Sequence, residues 1–230
     1  MISNFSNRLT RSMVGLSLAL LSPLAGAAIV FTENFEGATN QFGLPVYNYT
    51  SNYTLANTLA SPGLQYAHGG APAGGAEVAF QVTFDGPVLS LSALGYNVGA
   101  VDSGTLSLNL AAQFSTYRSQ NDYALFTAQF LDGSGLAVGD AINVGGSAFV
   151  VALPGGTASR GWGSASESGV IPVGARSIAL SLTQVKTPQG AFTDGYVDNL
   201  SVAVIPEPGT WMLCAVAAAS CVTRRRRRSH

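Results

Sequence analysis

The chain of 230 residues is poor in charge and in cysteine. Charged residues make up 10% of it, against about 25% in a typical soluble domain. This scarcity excludes a coiled coil and a long acidic or basic disordered chain. Both cysteines, Cys214 and Cys221, lie close to the C-terminus. The rest of the chain therefore has no disulfide and no thiol nucleophile, and packing or a metal must hold it together.

Residues that serve catalysis are also few. Apart from the C-terminal residue, His68 is the only histidine, so a nucleophilic triad lacks its usual base and a zinc site lacks its usual ligands. No Gly-x-Ser-x-Gly, His-Glu-x-x-His or phosphate-binding loop is present. A glycosidase needs only two carboxylates, which Glu33, Glu36, Glu77 or Glu167 could supply. We expect a protein that is not an enzyme, with a carbohydrate-active hydrolase as the lesser alternative.

Positive and negative charges are segregated along the chain. Residues 28–205 hold four basic and eleven acidic residues, a net charge of −7. The other basic residues are Arg8 and Arg11 near the N-terminus and five consecutive arginines near the C-terminus. A negative body repels nucleic acid and attracts cations. We therefore expect no nucleic-acid partner.

The first 27 residues have the three parts of a secretory signal peptide. Arg8 and Arg11 form the positive region, and the apolar run 13–24 is too short to span a bilayer with ease. Ala25, Gly26 and Ala27 are the small residues that a signal peptidase requires. Residues 28–204 are then the exported ectodomain.

The C-terminal segment 205–230 combines a proline motif, an apolar run and a basic end. Pro206, Glu207 and Pro208 cannot lie inside a helix, so a helix begins after them. The span 207–223 corresponds to roughly 25 Å of helix, a short transmembrane segment. Five arginines resist translocation and should stay in the cytoplasm. They are Arg224, Arg225, Arg226, Arg227 and Arg228.

This tripartite tail resembles the PEP-CTERM sorting signal, and Pro206-Glu207-Pro208 matches the motif of that family. The resemblance implies that an exosortase recognises and cleaves the tail. It also implies export across the cytoplasmic membrane, transient anchoring with the ectodomain in the periplasm, and release to the cell surface or beyond. An ordinary C-terminal anchor with a chance Pro-Glu-Pro is the alternative.

The ectodomain has the period-2 alternation of β-strands. Five segments alternate apolar and polar residues: 77–84, 105–110, 124–131, 177–182 and 196–204. Turn residues at 85–87 and 132–133 are placed at strand ends, and the Gly- and Pro-rich stretch 60–76 is expected to be a long loop. No amphipathic helix is evident. We predict an all-β, antiparallel β-sandwich of about nine strands, with a jelly roll as its topology.

The two ends of the ectodomain, 31–37 and 194–201, look like the ends of galactose-binding-like jelly rolls, which include many carbohydrate-binding modules. The stretches 117–124 and 170–177 are similar to segments of exported proteins of this kind. The resemblance implies a structural calcium held by Glu36 and Asp198, although Asn199 stands where the family often has a second acid. Calcium takes six to eight oxygen ligands. Asp122 and Asp194 are further candidates, and the alternative is that all four are ordinary turn acids.

Sugar binding would use aromatic faces exposed on loops or on a sheet. Tyr49, Tyr117 and Trp162 are the candidates, although an aromatic residue in a β protein is more often part of the core. We expect a non-catalytic, calcium-stabilised module associated with exopolysaccharide. A purely structural or adhesive surface protein without a small ligand is the main alternative.

Overall fold

The computed structural model describes residues 26–48, 65–70, 79–117, 119–153, 161–188 and 192–206. Several predictions fall outside these ranges. They concern most of the signal peptide, Tyr49, and the tail from Glu207 through Pro208 to the arginine run. Within the described ranges, no helix has the length and hydropathy needed to cross a membrane.

The described residues form two antiparallel sheets that pack as a sandwich. The larger sheet has six strands: β1 (Ala28–Glu33), β2 (Val46–Asn48), β3 (Gln65–Ala67), β5 (Leu106–Thr116), β8 (Gly163–Val170) and β10 (Gly195–Pro206). The smaller sheet has four: β4 (Phe80–Ser90), β6 (Tyr123–Leu131), β7 (Ile142–Gly145) and β9 (Ser177–Lys186). Two five-residue helices, α1 (Val98–Asp102) and α2 (Ser147–Val151), lie in connections. The prediction of an antiparallel β-sandwich is confirmed.

The strand order brings the two ends of the domain together. The larger sheet runs β2-β3-β10-β5-β8, and the smaller sheet runs β4-β9-β6-β7. Strand β1 also pairs with β10, on the edge that β10 shares with β3. Pairing with β1 ends at Leu200, and pairing with β3 occurs at Val197. The edge of β10 therefore passes from one partner strand to the other at Asp198 and Asn199.

The alternation of apolar and polar residues in the sequence corresponds to an alternation of buried and half-buried residues along the strands. In β9, Ile178, Leu180 and Leu182 are buried, while the residues between them are half-buried. Leu108 and Leu110 of β5 face them from the other sheet as members of the same core. Burying one such side chain stabilises the fold by about 1.5–3 kcal/mol, so the register of each strand is strongly specified.

Three parts of the sheets differ from the predictions. Residues 85–87 do not end a strand but form a bulge inside β4. The predicted loop 60–76 contains β3. Strand β8 was not expected, since its small and polar sequence GSASESGV has no apolar alternation. An edge strand with one neighbour needs few apolar residues, which explains why the pattern fails there.

The loop that follows β1 is fixed to the core by aromatic residues. Phe42 is buried and meets Phe31 and Phe126 edge to face, with centroids 6.1 and 6.3 Å away. Its ring lies where a side chain on Gly86 would be, because a Cβ there would come within 2.3 Å of Phe42 Cε1. Glu33 accepts the N–H groups of Phe35 and Gln41 with its two carboxylate oxygens. The position of this loop is therefore set by packing and hydrogen bonds together.

Candidate functional site

The outer face of the larger sheet carries a row of neutral polar side chains. Asn199 Nδ2 donates to Gln113 Oε1 at 3.0 Å, and Gln113 Nε2 donates to Ser164 Oγ at 3.4 Å. Asn109 Nδ2 donates to Ser168 Oγ at 2.8 Å further along the same two strands. Each pair joins neighbouring strands, so amides and hydroxyls cross the sheet from β10 through β5 to β8. We call Asn199, Gln113 and Ser164 the polar ladder.

A β-bulge positions the first member of the polar ladder. The register between β10 and β5 shifts between Asp198 and Ser201. Asn199 has a φ of 49°, a left-handed conformation that asparagine adopts more readily than most residues. The extra residue keeps Leu200 in the core while Asn199 stays on the outer face. Bulges of this kind redirect side chains, often beside functional sites.

Two shallow cavities meet at Asn199. One, of about 350 Å³, is lined by Ala111, Ala112, Gln113, Ser164, Ala165, Ser166 and Asn199. The other, of about 430 Å³, is lined by Thr32, Glu33, Asn34, Gln41, Asn199, Leu200 and Ser201. Together they form a groove across β1, β10, β5 and β8, which is about 14 Å at the usual spacing of strands. The groove is open to solvent and rich in hydrogen-bonding groups.

Glu36 and Asp198 approach the same bulge. Gln65 N–H donates to Glu36 Oε1 at 3.0 Å, and the pairing of Ala67 with Val197 places Gln65 beside position 199. Asp198 is fully buried, and its Oδ1 accepts the N–H of Asn199 at 2.7 Å. Two carboxylates thus lie where the edge of β10 changes partner strands. Carboxylate oxygens are among the ligands that calcium accepts.

Asp122 and Asp194 form a separate pair. Asp194 N–H donates to Asp122 Oδ2 at 3.0 Å, and both residues are buried. Asp194 stands four residues before Asp198 in an extended segment, roughly 13 Å away along the chain. Across the described ranges, no three His, Cys, Asp or Glu residues come together in a group that could hold a metal ion. The four predicted metal ligands therefore divide into two pairs.

Burial shifts the pKa values of Asp194, a member of the second pair, and of His68. It raises the pKa of Asp194 to about 6, and the negative charge of Asp122 adds to the rise, while the Tyr196 hydroxyl and Lys186 oppose it. Burial lowers the pKa of His68 to about 4. Its Nδ1 accepts the N–H of Gly70 at 3.0 Å, which only an unprotonated nitrogen can do. The imidazole of His68 is therefore neutral, and its hydrogen bond with Gly70 fixes the loop.

Two of the three aromatic candidates, Trp162 and Tyr117, belong to a small aromatic cluster. Trp162 is 5% exposed and meets Tyr66 edge to face at 5.6 Å. Tyr66 in turn meets Tyr196 at 4.8 Å, and Tyr117 packs against the group while partly buried. Trp162 and Ser164 are two residues apart, so this cluster borders one end of the groove.

Sequence reasoning did not single out Gln113 or Ser164, and treated Asn199 only as a departure from a family pattern. The predicted strand continues to Thr116, and Gln113 lies at one of the polar positions of its alternation. Its distinguishing property is its neighbours in β10 and β8. Since β8 was not predicted, this juxtaposition could not be found from the sequence.

No family model matches the chain, and a comparison with curated proteins also finds no match. Similar solved structures include the CBM22-1 xylan-binding domain from Paenibacillus barcinonensis, with 16% identity over 79% of this chain and 97% of that chain, and a TM-score of 0.39.

Two further similar structures are an adhesin domain and a domain of a phage tailspike protein. A cleaved adhesin domain of Lys-gingipain from Porphyromonas gingivalis has 11% identity over 76% of this chain and 98% of that chain, with a TM-score of 0.36. The enzymatically active domain of tailspike protein 4 from bacteriophage CBA120 has 14% identity over 79% of this chain, with a TM-score of 0.37. This chain covers 20% of the tailspike chain.

Proposed function

We propose that the protein is an exported, non-catalytic module that binds a neutral polysaccharide in the groove of the larger sheet. The polar ladder supports this proposal most directly. Amides and hydroxyls in a row donate and accept hydrogen bonds, as the hydroxyl groups of a sugar chain require. Ligand sites of this kind combine a concave surface with a few placed polar groups.

The groove chemistry supports a binding role over hydrolysis. Glu33 lines the groove, but both of its carboxylate oxygens accept backbone N–H groups of the loop after β1. A glycosidase would require two carboxyl groups facing each other across the sugar, about 5–9.5 Å apart. The polar ladder, which lines the smaller cavity, consists of neutral amides and a hydroxyl. We therefore place a sugar chain, without cleavage, across β10 and β5.

The order of the strands in the two sheets supports a jelly-roll topology. Apart from the short strands β2 and β3, one sheet has the order β1-β10-β5-β8 and the other has β4-β9-β6-β7. Consecutive strands such as β4 and β5, or β8 and β9, lie in opposite sheets. This alternation supports the proposal of a double Greek-key arrangement.

We assign the structural calcium to Glu36 and Asp198. Both carboxylates approach the bulge at Asn199, where Asp198 accepts the N–H of Asn199 and Glu36 accepts the N–H of Gln65. When bound, the ion would connect the loop after β1 to β10 and fix one side of the groove. Asp122 is a poorer ligand, since its two oxygens already accept three hydrogen bonds from Thr187 and Asp194.

Thermal unfolding tests the calcium assignment. Calcium at about 100 times its Kd should stabilise the folded protein by about 2.7 kcal/mol, which raises Tm by roughly 5–11 °C for a domain of this size. Glu36→Gln and Asp198→Asn should lose this increase, whereas Glu167→Gln, an exposed carboxylate of β8, should keep it. An equal increase in all variants would place the ion elsewhere.

Affinity electrophoresis tests the groove. The protein is run through gels with and without exopolysaccharide of the producing bacterium, each with calcium and with a chelator. We expect retardation with the polysaccharide and its loss in Gln113→Ala. Asn143→Ala is the matched control, since Asn143 accepts from Thr127 at 2.7 Å on the outer face of the other sheet. Equal mobility in every gel would contradict sugar binding.

A structural or adhesive surface protein without a small ligand is the second candidate. The observation that favours it is the burial of Trp162, Tyr66 and Tyr196, which leaves no exposed aromatic platform among these three residues. Retention of the protein in the matrix with equal mobility in all gels would support this role.

Export and sorting belong to the same proposal. We infer that a signal peptidase removes residues 1–27 and that an exosortase cleaves near Pro206, Glu207 and Pro208. Before cleavage, the helix that follows would anchor the protein in the membrane with the arginines in the cytoplasm. Replacing the three motif residues with alanines should leave an uncut, membrane-bound protein. Normal processing of that variant would mean that the tail is only an anchor.

A further inference from the structure

Exposed apolar side chains are concentrated toward one end of the sandwich. Within the described ranges eight large apolar side chains are exposed, and six of them lie toward this end. Three are on connections between strands, and three are at a strand end or within two residues of one: Val98, Leu136 and Val173, then Ile29, Val88 and Val170. Single exposed apolar residues are common on protein surfaces. Their concentration at one end is not explained by a groove on the face of a sheet.

This end is the one at which β10 ends. The last residue of β10, Pro206, pairs with the first residue of β5, Leu106. In the smaller sheet, the first residue of β9 pairs with the last residues of β4 and β6. The connections 91–105, 132–141 and 171–176 therefore meet at this end of the sandwich, which we call the anchor end.

The three connections of the anchor end contact one another. Asp102, at the end of α1, accepts the N–H of Gly174 at 2.9 Å and two hydrogen bonds of 3.0 Å from Arg176. Pro172 lies against Gly139, where a Cβ would come within 2.4 Å of the proline Cγ. The connection 171–176 thus contacts 91–105 on one side and 132–141 on the other. Its exposed valine lies between these two contacts, so the apolar side chains of the three connections share one surface.

Charged groups at the anchor end do not favour an ionic partner. Arg176 is the only basic residue of the three connections, and it forms an ion pair with Asp102. Asp132 accepts two backbone N–H groups of its own turn, and Asp140 is exposed. A cluster of lysines and arginines, which would bind anionic lipid headgroups, is therefore not part of these connections. The surface offers apolar side chains instead.

The position of Pro206 indicates what covers this surface. This step rests on the proposed function, in which the segment after Pro206 anchors the protein in a membrane. Residues 207–210 alone separate Pro206 from Trp211, the first residue of the apolar run. The five residues 207–211 span at most about 18 Å when fully extended. The headgroup layer on each side of a bilayer is about 5–7 Å thick, so the anchor end stays close to lipid.

We infer that the anchor end rests on the bilayer while the tail is attached, with Val98, Leu136 and Val173 in the lipid interface. Apolar side chains on loops gain free energy when they leave water, and such binding grows with the apolar area that lipid covers. Strand β10 would then rise from the membrane, with Asn199 seven residues, or about 23 Å, from Pro206. The groove would remain open to a polysaccharide.

Quenching of a fluorophore by lipid-borne nitroxide tests this contact. The protein is produced in a host without exosortase, so that its tail stays attached, and is reconstituted in phosphatidylcholine vesicles with nitroxide on the acyl chains. Nitrobenzoxadiazole is attached to Val173→Cys or to Val151→Cys, with Cys214 and Cys221 replaced by serine in both proteins. Val151 is the matched control, an exposed valine of α2. It lies toward the opposite end, away by about the length of the eleven-residue strand β5, roughly 35 Å.

We expect several-fold stronger quenching of the label at position 173 than at position 151, together with a blue shift of its emission. High salt should leave this quenching unchanged, because the contact is apolar. Quenching that salt abolishes would overturn an apolar contact.

A charge introduced at the anchor end should weaken the contact. With the label on Val98→Cys, the further substitution Val173→Asp should reduce quenching toward the value of the control. Val151→Asp should leave it unchanged. Both valines are exposed, so neither substitution disturbs the core, and circular dichroism verifies the fold of each variant. Unchanged quenching in Val173→Asp would contradict a lipid contact at that residue.

Flotation of the vesicles separates failure of this inference from failure of the proposed anchor. Equal quenching at positions 173 and 151 in vesicle-bound protein overturns the inference and leaves the anchor in place. A blue shift at position 173 without quenching would mean that a second copy of the chain, not lipid, covers this end, which also overturns it. Protein that does not float with the vesicles refutes the anchor itself, and the inference with it.

Discussion

Replacing His68 should change how stability depends on pH. In the folded protein His68 is neutral down to a pKa of about 4, whereas an unperturbed histidine takes up its proton at about 6.5. Between these values the unfolded chain binds a proton that the folded protein does not. Stability contributed by this group is therefore lost as pH falls through this window.

The size of the effect follows from the two pKa values. Each tenfold change in proton affinity is worth about 1.4 kcal/mol, so the change from 6.5 to about 4 amounts to about 3 kcal/mol. Asp194 acts in the opposite direction, because its pKa is raised from 3.8 to about 6. The folded protein binds its proton first, so stability rises as pH falls from about 6 to about 4, again by about 3 kcal/mol. In the wild type the two contributions largely cancel.

The variant His68→Gln removes the contribution of His68 and leaves that of Asp194. We consider the free energy of unfolding of the variant minus that of the wild type. This difference should increase by about 3 kcal/mol as the pH falls from 7 to 4. Urea denaturation at several pH values, followed by the fluorescence of the buried Trp162, measures this difference. Glutamine can still accept the N–H of Gly70, so the loop keeps its hydrogen bond. A difference between the two proteins that does not change with pH would refute the reasoning.

Two further substitutions test packing, each by urea denaturation beside a control. Phe42→Ala should cost about 3–5 kcal/mol because the ring is buried, and Phe192→Ala, at a side chain that is 47% exposed, should cost less than about 0.5 kcal/mol. Equal costs would mean that Phe42 does not fix its loop. Gly195→Ala should destabilise strongly, because a Cβ there would come within 2.4 Å of the backbone of Tyr123. Gly99→Ala, inside helix α1 with its nearest contact at 3.4 Å, is the control and should be neutral or stabilise by about 0.5–1 kcal/mol. If Gly195→Ala were also neutral, the strands would be able to separate at that position.

The parts of the fold that the sequence predicted are those where one face is apolar. Strands β5, β6, β9 and β10 alternate because they form the middle of the sandwich, and alternation is a local property. Strand β8 escaped prediction because its small side chains bury little on either face. The bulge at 85–87 was taken for a strand end, since Asp, Gly and Pro favour turns whether or not pairing resumes after them.

The candidate site was less predictable because it depends on register between distant segments. The polar ladder joins Gln113 to Ser164 and Asn199, which are far apart in sequence. Glu36 could be named from its resemblance to a family motif, but its connection to β10 passes through Gln65 of a strand that was expected to be loop. The division of the acids into two pairs likewise depends on the contact of Asp194 with Asp122, which is distant in sequence.

The long last strand has a mechanical consequence. Strand β10 lies between β1 and β5 over much of its 12 residues, and it ends at Pro206, which leads to the proposed anchor. If the chain is held at that end while a ligand pulls on the groove near Asn199, the tension runs along the axis of β10. The hydrogen bonds on both sides of the strand are then loaded in shear and must yield together, whereas a peeling force would break them one at a time. The strand that lines the groove would thus also carry the load between the ligand and the anchor.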